Sequence, residues 1–220
     1  MRRKHVRPPV VTGDATSRYE RLTHSGTTWY DLMPTPANGT DATSGAAFTW
    51  PNFNDAGYVE IGTPAKLNFA GAFTLCTWAY QSFPPPHQGG EYLIGKDDPG
   101  SGRNAGLSMQ DNNALISGFR FPFKAAQYVP PIKNIMFFIV FVNEGTGGDL
   151  KLYVDGDLKT TTVGEGLNIT WTATVPWEIG RRQDGSDYLT GTIDTVRFYS
   201  RALGADEILR DYHAGKPAHL

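Results

Sequence analysis

Residues 188–215, YLTGTIDTVRFYSRALGADEILRDYHAG, decide the architecture. The stretch reads as a strand, a tight corner and one short helix. Side chains alternate along a strand, so Asp194, Val196 and Phe198 are predicted on one face, and Ile193, Thr195, Arg197 and Tyr199 on the other. Past the corner, Leu203, Ile208, Leu209 and Tyr212 recur at helical spacing and make one apolar stripe. Asp206 and Glu207 fall in the first turn, where the helix dipole favours negative charge. Gly215 is predicted to stop the helix, and Pro217 to prevent its resumption. One short helix at the end of a strand-rich chain is unstable alone and has to dock on a sheet.

Upstream, strand patterns follow one another between polar or glycine-rich turns: 48–53, 57–62 (GYVEIG), 72–81 (AFTLCTWAYQ), 91–96, 105–110, 114–121, 135–142, 149–154, 158–163 and 175–180. In 72–81 both faces are apolar, Phe73 and Leu75 on one side and Cys76, Trp78 and Tyr80 on the other. A strand of that kind is covered on both sides and therefore central. Residues 135–142, IMFFIVFV, are continuously apolar, as a buried strand requires. Asp155-Gly156 between two alternating runs marks a two-residue hairpin, because both residues tolerate positive φ.

The chain has 220 residues, within the range of about 200–250 that one β-sandwich often fills. Its net charge of −2 gives no support for nucleic acid as a partner. Its one cysteine, Cys76, lies inside an apolar strand and reads as core. No run approaches the roughly 20 apolar residues of a membrane helix, so no membrane partner is expected. The first residues, MRRKHVRPPVVTGD, are basic without the apolar run of a secretory signal, and export on such a signal is not expected. Residues 1–25 are predicted to form an extended basic arm, and 26–220 the body. Arg2, Arg3, Lys4, Arg7, Arg18 and Arg21 stand against Asp14 and Glu20, giving the arm +4 and the remainder −6. Such an arm needs its own sandwich or a neighbouring molecule to lie on.

Several spaced elements resemble one family. They are Trp177-Glu178-Ile179-Gly180, Gly191 to Tyr199 (GTIDTVRFY), Ala202 to Ile208, the Leu152-Tyr153-Val154-Asp155-Gly156 hairpin and the opening Trp29-Tyr30-Asp31-Leu32 with Asn38-Gly39-Thr40. Together they resemble laminin G-like, concanavalin A-like jelly-roll domains. Two departures stand out: Met33-Pro34-Thr35 replaces the family's Ser-Gly-Asn turn, and Met136-Phe137 replaces its Trp-His pair, which makes that position plain core. The resemblance implies an all-β, two-sheet antiparallel jelly-roll sandwich with one short C-terminal helix. The Trp-x-Asp-Leu opening is similar to that of phage virion proteins. It implies a non-catalytic structural and recognition protein, a capsid decoration or tail-associated component that docks through its arm on other virion proteins or on copies of itself. The alternative is a stand-alone or excised extracellular carbohydrate-binding module whose partner is a cell-surface glycan. A fold of this kind serves many uses, so the site has to decide.

Glycan cleavage needs two positioned carboxylates, and related glycosidases carry them as Glu-x-Asp-x-x-Glu along one strand. No strand here has that pattern, and no histidine joins a recognisable nucleophile motif. The expectation is therefore no enzyme and no required cofactor. Asp194, in register with Val196 and Phe198, is expected to face the core, where a carboxylate must be paired, hydrogen-bonded to backbone or bound to metal. The resemblance adds a structural Ca2+, with Asp194 and Asp31 as its ligands. Sugar binding needs an exposed aromatic and fixed polar groups in loops. Trp171, Arg182, Asp184 and Asp187 are the candidates, with Trp50 and Trp177 as further aromatics. Asn38-Gly-Thr and Asn168-Ile-Thr are glycosylation sequons that count only in a secreted protein.

Overall fold

A computed structural model of the chain describes residues 17–20, 24–25, 28–29, 32, 38–43, 52–54, 57–82, 90–110 and 115–219. Its strands in chain order are β1 (Ser17–Glu20), β2 (His24–Ser25), β3 (Thr28–Trp29), β4 (Gly39–Thr43), β5 (Asn52–Asn54), β6 (Gly57–Gly62), β7 (Phe73–Gln81) and β8 (Gly90–Asp98). There follow β9 (Gly102–Gln110), β10 (Leu115–Arg120), β11 (Lys124–Tyr128), β12 (Phe137–Asn143), β13 (Leu150–Val154), β14 (Asp157–Thr162), β15 (Trp177–Ile179) and β16 (Thr190–Tyr199), then the helix α1 (Ala205–His219). Among the described residues they build two antiparallel sheets. One runs β1-β16-β7-β12-β13-β14, with β5 also on β16; the other runs β11-β10-β9-β8-β15-β6-β4-β3-β2.

Alternation explains how the first sheet is covered on both faces. Phe73, Leu75 and Ala79 of β7 and Phe137, Ile139 and Phe141 of β12 join Val59, Ile94, Leu107 and Ile179 of the second sheet in one buried cluster. The intervening Cys76, Trp78, Phe138, Val140 and Val142 form a second cluster with Leu203 and Ile208, under α1. β7 and β12 are thus central and doubly buried, as their sequences require. Burial pushes the Cys76 thiol well above its ordinary value, which leaves it un-ionised in the core.

The closing stretch differs from expectation in three places. The register of β16 on β7 slips between Ile193 and Thr195. This bulge inserts Asp194 as an extra residue, so Ile193 and Val196 both face the inter-sheet core while Asp194 is only half-buried. The helix runs through Gly215 and Pro217 to His219. Gly215 is there for packing: a Cβ on it would lie 2.6 Å from Nε1 of Trp78. Pro217 falls in the last turn, so the one backbone bond that its missing N–H removes lies at the helix end. Leu209 is exposed, and the docked face is instead Ile208, Asp211, Tyr212 and Gly215, with Tyr212 stacked on Trp78 at 5.8 Å between centroids.

Strand pairing also reaches into the segment expected to be an arm. Ser17–Glu20 pairs with β16 residues 195–198, and His24–Ser25 pairs with β3. Arg18 therefore sits on a sheet-edge strand, while Arg2, Arg3, Lys4, Arg7 and Arg21 lie outside the described residues. β11 is a strand that the sequence does not announce.

Candidate functional site

The second sheet carries a row of polar side chains across four strands. Tyr92 of β8 stands opposite Ser108 of β9, Ser108 opposite Ser117 of β10, and Ser117 opposite Gln127 of β11. On β9 the alternate residues Ala105, Leu107 and Met109 belong to the inter-sheet core, so Ser108 faces away from it. One step along, Gly95 opposes Gly106, and this bare pair leaves room for aromatic rings to lie against the sheet. A Cβ on Gly95 would come within 2.7 Å of the Tyr92 ring, and one on Gly106 within 2.8 Å of Phe119.

Those rings begin an aromatic ladder. Tyr92 meets Phe119 edge-on at 5.6 Å, Phe119 meets Phe121 at 5.9 Å, and Phe121 meets Phe123 at 5.7 Å. Burial falls along it, from Phe119 at 3% exposed to Phe123 at 59%. The exposed end offers a flat apolar face beside the polar row.

Ion pairs fix the walls. Asp97 and Arg103 are opposed on the β8–β9 ladder, and Arg103 donates from Nε to Oδ1 at 2.7 Å and from Nη2 to Oδ2 at 3.1 Å. The Tyr92 hydroxyl donates to the same carboxylate at 2.5 Å, and the Arg103 guanidinium lies 4.1 Å above the Phe121 ring. Burial, with the Asp97 bond, holds the Tyr92 hydroxyl well above the usual phenol range, so it stays a donor.

The other wall is the loop between β15 and β16. Gln183 staples it to β8, donating to Gly95 O at 2.6 Å and accepting from the Asp97 N–H at 2.7 Å. Asp187 O accepts from Tyr92 N–H at 3.1 Å. Within the loop Arg182 donates from Nε and Nη2 to Asp184 Oδ2 at 3.0 and 2.7 Å, and its Nη1 lies 2.8 Å from Asp187 Oδ2. Burial raises the Asp184 carboxyl, but bonds from Arg182 and Ser186 outweigh it, and the group sits below its ordinary value. It is held ionised.

These parts enclose a crevice of about 180 Å3 between Tyr92, Ser108, Ser117, Phe123, Arg182 and Asp187. Arg103 and Phe121 line it too, and the same pair lines a second crevice of about 380 Å3 that continues to residues 167–170.

Of the residues singled out in the sequence, Arg182 and Asp187 line the first crevice, and Asp184 stands behind them as the partner of Arg182. Trp171 is a correction. It packs on the inter-sheet core against Phe69 and Phe73, and its indole N–H donates to Phe69 O at 2.8 Å, so its ring is not a free platform. Trp177 is fully buried, and Trp50 and Asp31 lie outside the described residues. At Asp194 the bulge leaves the carboxylate half-buried in place of the full core burial on which the argument for a metal rested. Among the described residues no three His, Cys, Asp or Glu side chains gather closely enough to hold a metal ion. Among them, too, no helix is long and apolar enough to cross a membrane. The sequence reading missed Tyr92, Arg103, Ser108, Ser117 and Phe123. The run Phe119-x-Phe121-x-Phe123 was their one visible signal; Phe119 lies in β10, and Phe121 and Phe123 fall in the turn to β11, where all three rings meet.

Two antiparallel sheets packed face to face, with one C-terminal helix on the outside, define the class: a concanavalin A-like sandwich. Residues 53–209 match the family profile described as the Concanavalin A-like lectin/glucanases superfamily, and the chain belongs to that family. No curated protein matches the sequence. Among solved structures it is similar to the receptor-binding domain of botulinum neurotoxin C/D mosaic serotype, with 14% identity and a TM-score of 0.67 over 91% of this chain and 51% of that one. It is also similar to the binding domain of botulinum neurotoxin DC in complex with SialylT (12%, 0.66, 91% and 51%) and in complex with rat synaptotagmin II (13%, 0.67, 91% and 52%). The chain spans about half the length of these structures. At such identities the likeness is one of fold.

Proposed function

We propose that the chain is a non-catalytic recognition domain that binds a glycan in the crevice on the outer face of its second sheet. The observation that carries this reading is the polar row Tyr92–Ser108–Ser117–Gln127 running beside the exposed Phe123 ring. A sugar ring needs both, hydroxyl partners at fixed positions and an apolar surface for its C–H face. Asp97, Asp184 and Asp187 each pair with an arginine, and the Asp184 carboxyl is held down, whereas a general acid for glycoside cleavage needs one held up. Binding of immobilised polysaccharides by the full chain, with no new reducing ends released, is the expected result. Steady release of reducing ends would overturn the non-catalytic part.

The place we propose for it is a phage virion, as capsid decoration or tail-associated protein. The supports are the resemblance of the Trp29–Leu32 opening and the contrast between a +4 N-terminal segment and a −6 remainder, which favours contact between that segment and a neighbouring body. Replacing Arg2, Arg3, Lys4 and Arg7 by Glu in the full chain is expected to abolish incorporation into particles while glycan binding persists. Unchanged incorporation would remove the basic segment from the account. A second reading is a stand-alone or excised extracellular carbohydrate-binding module, supported by a neighbouring fold solved as a binding domain in complex with SialylT. In that case the same substitutions change nothing.

A further inference from the structure

We infer that the crevice selects an uncharged oligosaccharide of more than one ring over acidic ones; this rests on the glycan reading above and adds the ligand class to it. The argument begins with charge. Arg182 divides its guanidinium between Asp184 and Asp187, and Arg103 gives two nitrogens to Asp97, whose side chain is 0% exposed. Two cations thus face three carboxylates, and neither arginine is left without a counter-ion. A sialic acid, uronate or sulfate entering here finds both lining arginines already committed, and taking one from its partner would leave a carboxylate unpaired.

The remaining chemistry is neutral. Ser108 and Ser117, 4% and 2% exposed, line the crevice with hydroxyls, Gln127 donates its amide to Ser117 Oγ at 3.4 Å, and the Tyr92 phenol, kept protonated by its surroundings, donates to Asp97. Hydroxyl groups on a sugar match them donor for acceptor. Phe123, 59% exposed at the end of the aromatic ladder, supplies the stacking face. Length follows from volume. A crevice of about 180 Å3 is below the roughly 300–1,000 Å3 of whole small-molecule sites, so it holds only part of a ligand. The second crevice, about 380 Å3 and sharing Arg103 and Phe121 with the first, continues the path toward Asn168. A chain crossing the Arg103–Phe121 pair would occupy both.

The test is a titration of the full chain against immobilised oligosaccharides in matched pairs, each neutral hexasaccharide beside the same core carrying a sialic acid, a uronate or a sulfate. Expected is a neutral ligand whose acidic counterpart binds about tenfold or more weakly, roughly the effect of one uncompensated charge. Phe123→Ala and Ser117→Val are each expected to weaken the neutral ligand at least about tenfold with unfolding midpoints unchanged. Asp187→Asn, which removes one carboxylate from the Arg182 wall, is expected to narrow the gap between the pair members. Acidic members binding more tightly would overturn the inference while leaving the glycan reading in place. Neutral binding that ignores Phe123→Ala and Ser117→Val would place the site elsewhere and overturn it as well. If the folded chain takes up no saccharide at all, both readings fall.

Discussion

Gly95 and Gly106 face each other across the β8–β9 ladder, and the missing pair of side chains is what lets Tyr92 and Phe119 lie down on the sheet. Neither glycine is needed for an unusual backbone angle; each is needed for space. A Cβ on Gly106 would stand 2.7 Å from Ile94 O and 2.8 Å from Phe119 Cζ, and the carbonyl cannot move without breaking the ladder.

Gly106→Ala is therefore expected to destabilise the fold by about 1–3 kcal/mol, the usual cost of overpacking. It is also expected to tilt Phe119 and weaken glycan uptake. Urea unfolding with an unchanged slope measures the first effect. Adding Phe119→Ala is expected to return only part of the loss, since the clash with the Ile94 carbonyl persists. Full parental stability in the single variant would show that the ring and the carbonyl have room to retreat.

Gly215 sets two effects of opposite sign against each other. Alanine is favoured over glycine in a helix by about 1 kcal/mol, so propensity alone says that Gly215→Ala stabilises. The new methyl would meet three atoms of the Trp78 ring at 2.6, 2.9 and 3.0 Å, and that ring is pinned between Phe138 and Tyr212. The clash is expected to win, with a net loss of about 1–2 kcal/mol and altered Trp78 fluorescence. A net gain would mean that α1 slides on the sheet without cost.

The doubly apolar β7 and β12 were legible because period-2 patterning with apolar groups on both faces has one reading, a strand covered twice. The Asp155-Gly156 hairpin was legible from turn chemistry, and both residues have positive φ, 54° and 85°. What failed was local. A bulge at Asp194 shifts parity by one, and no residue type marks it. Lys124-Ala-Ala-Gln-Tyr128 carries no β-branched residue, and becomes β11 only because β10 offers a ladder on which tertiary pairing overrides propensity. Gly215 reads as a stop in sequence and is a contact surface in space. The crevice was half legible. Arg182 and Asp187 stood out as charges in a loop, but the polar row is four single residues from four strands, and only register brings them together.

Glu207 gives an acid-side prediction. Arg201 grips its carboxylate at 2.7 and 2.8 Å, the Gly204 N–H donates to it at 2.9 Å, and these bonds hold its pKa down at about 2. A carboxyl depressed in the folded state stabilises it above the unfolded pKa of about 4.3, and that contribution drains away as pH falls toward 2. Glu207→Gln is expected to be less stable than the parent at pH 7 and to converge with it near pH 2. A gap that persists at pH 2 would assign the effect to packing instead.

Lys96 gives the alkaline counterpart, with the same sign of slope but a buried charge that costs stability in place of a paired one that adds it. Its side chain is fully buried, its amine donates to Val175 O, and burial lowers its pKa to about 8. Between about 8 and the unfolded value near 10.4 the unfolded chain binds more protons, so stability from this group rises with pH. Lys96→Met is expected to lose that rise between pH 8 and pH 10, whatever its effect at pH 7, where relief of a buried charge opposes the orphaning of Val175 O. Parallel stability–pH profiles for parent and variant would refute the assignment.

Asp155 does two things at once at the β13–β14 turn. It takes the left-handed conformation at φ 54°, and its Oδ1 accepts the Phe138 N–H at 2.9 Å, tying the hairpin to the start of β12. Asp155 N–H returns a bond to Phe138 O at 2.8 Å, so the turn and the strand end are joined reciprocally. Asp155→Ala removes the side-chain acceptor and puts a residue with no local polar group into a left-handed position, which costs about 1–2 kcal/mol before the Phe138 N–H is counted. Asp155→Asn keeps the acceptor and tolerates the same φ. It also removes a charge, and burial already raises the Asp155 carboxyl above its ordinary value. The asparagine variant is therefore expected to match or exceed the parent at pH 7, and the alanine variant to fall below both. Amide exchange at Phe138 separates the causes: it should quicken in Asp155→Ala and stay slow in Asp155→Asn, whereas equal quickening in both would show that the charge, not the geometry, holds the hairpin to β12.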